Sequence, residues 1–298
     1  MQKEFATTED DSDSPPSYHP SFSHPEADVI LRAKDGTLFR VHSYTLKTTS
    51  GWFRTMFSLP QAGSESHQRL SMPRSAETLY LDEDSATLEA LLSMICGLSI
   101  PALQSNDLLE RVLYAAEKYD TPGPLSLIRA LLMPKAILDD PLHLYVMACR
   151  YGWEDEIRAA STKTLTLNLF APEHKATLRK LSTHALLALL DLHHSRRELL
   201  RKQLDAPPFV NDSGPGSCSH CNAEVDYRTW RELKYVIMRE MELRPLGDTV
   251  LEAGLNDWPA AKTCWAAQCP ECGRVLYDKQ ETLRAIEQCI EALPLGVR

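Results

Sequence analysis

Between residues 28 and 132 the spacing of apolar side chains switches from period two to about 3.6 and back before settling at 3.6, which commits this stretch to a mixed α+β unit. Val29 and Leu31, then Asp35-Gly36, then Leu38, Phe39 and Val41 read as two short strands joined by a tight turn whose glycine permits positive φ. From Ser43 the interval lengthens. Leu46, Ser50, Trp52, Phe53, Met56 and Phe57 fall at helical spacing until Pro60 closes the stretch. Residues 60–77 are polar and read as an exposed loop. A third strand is expected over Thr78 to Leu81, and Asp82 to Ser85 supply short oxygen-bearing side chains that cap a helix. That helix carries Leu88, Leu91, Leu92 and Ile95 on one face and ends at Gly97 and Pro101. The next opens at Asn106 or Asp107 and turns Leu109, Val112, Leu113, Ala116 and Tyr119 inward. A last helix follows Pro122 to Pro124 and buries Leu125, Ile128, Leu131 and Leu132.

Read as a string, Asp28-Val29-Ile30-Leu31, then Asp35-Gly36-x-x-Phe39-x-Val41-His42-x-x-x-Leu46-x-x-x-Ser50-x-x-Phe53-x-x-Met56-Phe57, resembles the opening of a BTB (POZ) domain. Leu113 to Tyr119, Leu-Tyr-Ala-Ala-Glu-Lys-Tyr, resembles the helical second half of that family, and residues 56–61 are similar to a large group of its fungal members. The resemblance implies an interaction module with no chemistry of its own, over residues 26–133: a short three-stranded sheet with about five helices. It implies protein partners, self-association into a homodimer and, for many members, recruitment of a cullin scaffold to form ubiquitin ligases. It also implies a structural role for His42, hydrogen-bonding near the start of the first helix. Two departures bear on the partners. Tyr18-His19-Pro20 and His24-Pro25 oppose the helix that exchanges in many family dimers. Cullin-recruiting members place a hydrophobic residue two before a Glu in the loop after the Met56-Phe57 position, where this chain has Gly63 and Glu65.

The flanking segments differ in composition. Residues 1–25 are acidic and rich in Ser and Pro, too poor in apolar side chains to offset ordering entropy, and are expected to be a disordered tail without a secretory signal. Residues 134–205 read as an all-α extension. Asp139, Asp140 and Pro141 open a helix over 142–151, and Ser182 caps a long final one whose His193, His194, Arg196, Arg197, Arg201 and Lys202 read as a solvated basic end. Pro207-Pro208 and the Asn211 to Gly216 run mark 206–217 as a linker. A C-terminal helical segment, 218–298, completes the chain.

That last segment holds the sharpest chemical signal, the pairs Cys218-Ser-His-Cys221 and Cys269-Pro-Glu-Cys272-Gly273. Each can form a knuckle that turns two thiolates toward one ion, and four thiolates complete a tetrahedral zinc site. Pro270 stiffens its turn, and Gly273 lets backbone N–H groups approach the sulfurs. The 47 residues between the pairs exceed ordinary finger spacing, so a helical insertion carrying Trp230, Leu233, Val236, Ile237 and Met241 is expected between them. His220 and Cys264 are alternative ligands. Plain reduced thiols and an exchangeable disulfide within either pair are the competing readings.

The net charge of −9 is spread as −5 over 1–27, −2 over 28–133, +2 over 134–205 and −4 over 206–298. No part is basic enough to attract phosphate, so nucleic acid is disfavoured as a partner. No apolar run approaches the ~20 residues that span a bilayer. There is no Gly-x-Ser-x-Gly elbow, phosphate-cradling Gly loop or His-Glu-x-x-His, and the acidic pairs are explained as caps. The expectation is a non-enzymatic adaptor or scaffold of the cytoplasm or nucleus. The alternative is a transcription or chromatin regulator of the same domain type with a zinc-stabilised C-terminal part.

Overall fold

The computed structural model describes residues 17–59, 77–103, 105–209 and 216–297, and the chain divides into two compact units, Met1–Leu132 and Met133–Arg298. In the first, β1 (Val29–Arg32) and β2 (Leu38–Val41) pair antiparallel, with Val29 opposite Val41 and Arg32 opposite Leu38. Gly36, at φ +92°, makes the turn between them, and Asp35 Oδ1 accepts the Thr37 N–H at 3.1 Å. β3 (Glu77–Tyr80) joins the other edge of β1 in parallel, giving the order β2-β1-β3.

Five helices pack on this sheet or extend from it: α1 (Ser43–Thr49), α2 (Gly51–Ser58), α3 (Ser85–Cys96), α4 (Asn106–Lys118) and α5 (Pro122–Asp139), the last running across the division between the units. The helical stretch after Ser43 is broken at Ser50. Its extended backbone ends α1, its hydroxyl accepts the Phe53 N–H at 3.0 Å, and the same hydroxyl donates to Tyr119 O at 2.5 Å. One fully buried serine thus ends one helix, caps the next and ties both to the end of α4. Asp84 and Ser105 cap α3 and α4 by accepting from Thr87 N and Leu108 N, and Gly97 at φ +69° ends α3. Leu31, Phe39, Leu46, Phe53, Leu92 and Leu113 form the buried centre.

Two expectations for this unit are corrected. The disordered tail over 1–25 fails for its last residues. Ser17 O accepts from Leu38 N at 3.0 Å, His19 N donates to Leu38 O at 2.8 Å, and Phe22 is buried against Phe39, so this segment lines the outer edge of β2. The few apolar side chains there are enough because β2 offers them a partner. The His42 side chain makes no capping bond at the start of α1. Asp28 does that work, accepting from Ser43 N at 2.7 Å and from the Ser43 hydroxyl at 2.6 Å. Residues 1–16 and the loop that holds Gly63 and Glu65 lie outside the described residues.

In the second unit, α6 (Pro141–Tyr151) is capped by Asp140 through the His143 N–H and ended by Gly152 at φ +68°. α7 (Glu154–Thr164) packs on α6, and the short α8 (Lys175–Leu178) precedes α9 (Thr183–Leu204), whose cap is Ser182. Two-residue strands β4 (Gly216–Ser217) and β5 (Glu224–Val225) come next. Then follow α10 (Arg228–Leu243), a π-helical turn at Val250–Gly254, α11 (Leu255–Asp257), α12 (Pro259–Ala266) and α13 (Lys279–Glu291). The amphipathic insertion expected between the cysteine pairs is α10, with Trp230, Leu233, Ile237 and Met241 buried against Leu200 and Leu204 of α9 and Ile286 and Ile290 of α13. No helix among the described residues is long and apolar enough to cross a membrane.

The basic end of α9 is not uniformly solvated. Arg196, 1 % exposed, donates from Nε to Pro245 O (2.8 Å), from Nη1 to Leu293 O (3.2 Å) and Pro294 O (2.7 Å), and from Nη2 to Leu246 O (2.9 Å). One turn earlier, buried His193 faces Thr164, with Nε2 and Oγ1 3.2 Å apart. The Thr164 hydroxyl donates to Ser161 O, so it accepts from His193, which fixes the Nε2–H tautomer.

Burial, with the neighbouring Arg196 charge as a lesser cause, pushes His193 down from 6.5 to about 4. An unfolded chain therefore binds the extra proton first. Stability contributed here is intact above about 6.5 and falls as pH drops towards about 4, by on the order of 3 kcal/mol. His193→Gln is expected to remove that component. Urea midpoints of the two proteins should converge as pH falls from 7 to 4, and a constant difference would refute the assignment.

Candidate metal centre

Each Cys-x-x-Cys pair sits at the tip of a small hairpin. In the first, β4 and β5 flank the turn, Cys218 N donates to Ala223 O at 2.8 Å, and Asn222 N donates to Cys218 O at 2.9 Å. In the second, Gln268 bridges Val275, Cys269 N donates to Arg274 O at 2.8 Å, and Gly273 N donates to Cys269 O at 2.9 Å. The two turns are copies of one design, and both place their fifth residue in the left-handed region, Asn222 at φ +62° and Gly273 at φ +69°. Asparagine is the residue that tolerates this conformation best after glycine. Reading Asn222 beside Gly273 is the sequence signal that the two turns match.

The fold of α10 to α12 brings the tips together. The Sγ atoms of Cys218, Cys221, Cys269 and Cys272 all lie within 4.8 Å of one another. Across the pairs, Cys218 Sγ is 3.8 Å from Cys272 Sγ, and Cys221 Sγ is 3.6 Å from Cys269 Sγ. Four sulfurs each 2.3 Å from a central zinc ion would be about 3.8 Å apart, and both cross-pair distances lie close to that value. The first cysteine of each pair is buried and the second is more open to solvent.

The electrostatics differ from thiol to thiol. The N–H of His220 points at Cys218 Sγ from 3.5 Å, and this bond, with the Cys221 N–H, lowers the Cys218 thiol to about 6. Cys221 also has a main-chain donor, the Ala223 N–H. Desolvation and its thiol neighbours Cys272, Cys269 and Cys218 nevertheless push it up to about 12. The Cys218 thiolate forms easily beside Cys221, which resists ionisation, and a cation held among the thiols would reverse that resistance.

The two alternative ligands stand apart. The His220 ring turns outward, with Nδ1 3.2 Å from Arg274 Nη1. Cys264 is fully buried in the apolar core of the unit, where burial pushes its thiol up to about 12. Neither belongs to the thiol group, which among the described residues comprises the four cysteines of the two pairs. Supporting residues that the sequence did not single out are Gly216 and Tyr227. The Tyr227 ring packs where a Gly216 side chain would stand, 2.7 Å from that position, and its hydroxyl donates to Ser217 O at 3.0 Å, holding β4 in place. These four sulfurs could hold one metal ion and leave it no open coordination position.

No protein among curated sequences matches this chain. Residues 20–134 match the family model described as BTB/POZ domain, over the stretch that carries the β2-β1-β3 sheet and α1 to α4. With sheet order, helix succession and family match in agreement, the first unit of this chain is a BTB/POZ domain, a module that generally mediates protein association rather than catalysis.

Proposed function

We propose that this chain is a non-enzymatic adaptor or scaffold. Its BTB domain binds protein partners and a second copy of the chain, and its C-terminal unit is held by one structural zinc ion on Cys218, Cys221, Cys269 and Cys272. The observation that carries the reading is the domain match over 20–134, in a chain whose second unit gathers four thiols close enough to hold one ion. Zinc here supplies a cross-link between two hairpins that are too short to persist alone. Hydrolytic chemistry needs a fourth position free for water, which four thiolates do not leave.

A cullin scaffold is one partner that such a domain can take, but nothing in the described residues favours it over another protein. The transcription or chromatin reading requires nucleic-acid binding by 206–298, and a net charge of −4 there opposes it. Native mass spectrometry of the full-length protein purified without chelator tests the adaptor reading. A dimer with one zinc per chain is the expected spectrum, and a metal-free monomer would overturn both the assembly and the metal.

A further inference from the structure

Beside the thiol cluster lies a cavity of about 760 Å³ whose lining includes Phe209, Tyr227, Trp230, Tyr277, Asp278 and Glu281. Its volume is that of a ligand site rather than a packing defect. One wall is the first knuckle, through Ser219 and His220, and another is the N-terminal turn of α13.

Three features define what would fit. The aromatic rings form a continuous set: Phe209 stacks on Trp230 with centroids 5.1 Å apart, Trp230 meets Tyr277 at 6.3 Å, and Tyr227 meets Tyr277 edge-on at 5.8 Å. Both tyrosine hydroxyls are engaged, with Ser217 O and with Thr229 Oγ1, which fixes the rings. The charges on the lining are carboxylates, Asp278 and Glu281, with no lysine or arginine among the lining residues. Finally, Trp230 is 1 % exposed and its indole N–H has no acceptor among the described residues. A buried donor without a partner is uncommon in a finished core, and an acceptor brought by a ligand would complete it.

Aromatic faces with carboxylates select a cation. An unsatisfied donor beside them selects a ligand that also carries a carbonyl. An anion would meet two negative charges, and a purely apolar molecule would leave the indole unanswered. We propose that this cavity binds a lysine or arginine side chain of a partner polypeptide. The cation lies against the rings within reach of Asp278 and Glu281, and the peptide chain supplies the acceptor for Trp230. The proposal extends the adaptor reading, because it gives the C-terminal unit a ligand class of its own.

The test uses full-length protein whose zinc content and oligomeric state have first been read by native mass spectrometry. Failure of the cavity is then told apart from failure of the adaptor reading. Fluorescein-labelled pentalysine is titrated at 150 mM salt and followed by anisotropy, with pentaglutamate as the control. Pentalysine is expected to bind and pentaglutamate not to. Glu281→Gln and Asp278→Asn, the latter retaining a residue that caps α13, should each weaken binding about fivefold. Glu287→Gln combined with Glu291→Gln, on exposed positions of the same helix outside the cavity, should change it less than twofold. The Trp230 indole N–H resonance, assigned with Trp230→Phe, should move on titration. A dimeric, zinc-loaded protein that ignores pentalysine overturns the proposal. So does equal loss in the Glu287/Glu291 control, which would show diffuse attraction to an acidic chain, or an indole resonance that stays still at saturation.

Discussion

Cys269→Ser is expected to strip the metal from the chain and unfold the region around the two hairpins, while residues 20–134 keep their structure. The expected effect is large because the main-chain pairing of the two hairpins is short. β4 and β5 contribute two residues each, and the second hairpin rests on the Gln268–Val275 bridge and three main-chain bonds, Cys269 N to Arg274 O, Gly273 N to Cys269 O and Leu276 N to Ala267 O. Strand pairs of that size do not persist on their own. Structural zinc sites in small domains contribute about 10–16 kcal/mol of apparent binding energy, which on the proposed zinc reading would be folding energy for the hairpins. The substitution also puts a hydroxyl, which does not ionise near neutral pH, beside Cys221, whose Sγ lies 3.6 Å from that of Cys269. Native mass spectra should lose the zinc mass, and amide exchange should quicken over 216–225 and 267–277. His220→Ala should keep the metal, because its ring points to Arg274. A Cys269→Ser protein that retains zinc, or loses it with unchanged exchange, would remove the structural role.

The second large effect is expected at Arg196. Its guanidinium collects the carbonyls of Pro245, Leu246, Leu293 and Pro294, so one side chain joins α9 to the segment after α10 and to the segment after α13. Bonds from a charged donor are worth about 1.5–3 kcal/mol each, and acceptors left buried without a donor cost more than the bond they lose. Arg196→Ala should therefore cost at least about 4 kcal/mol and bring exchange to the last residues of the chain, where Val297 N donates to Ser161 Oγ at 3.1 Å. Arg196→Lys should recover little, because an ammonium cannot fork to both segments. Urea unfolding with a loss below about 1 kcal/mol would show that the carbonyls find other donors.

How far these features can be read from the sequence depends on how local their causes are. The β1–β2 hairpin, α3, α4 and the α9 cap rest on turn glycines, capping oxygens and apolar spacing, all within a few residues of the element they shape. The thiol cluster was legible for the same reason, since a Cys-x-x-Cys turn announces itself. Arg196 was not. It stands in a basic run, and only its register on the Leu189, His193, Leu200 and Leu204 face, four residues buried in the structure, marks it as inward. Phe22 and Asp28 were missed because their partners, Phe39 and Ser43, lie 17 and 15 residues away, and no local pattern points across such a gap. The cavity was invisible because its walls come from four separated segments that only the fold assembles.

The separation of the two cysteine pairs also governs the order of assembly. Cys218 and Cys272 are 54 residues apart, and Cys221 and Cys269 are 48 apart. Joining such distant points in an open chain costs about 3 kcal/mol beyond the closure constant. At about 5–20 residues per second the ribosome delivers the second pair some 2–10 s after the first. During that interval the first pair offers an ion only two sulfurs. Firm capture waits until α10 to α12 have folded and brought the tips together. On the proposed zinc reading, metal loading is thus a late checkpoint that reports a finished core, and a chain whose α10 misfolds would hold its metal too weakly to be mistaken for a mature one.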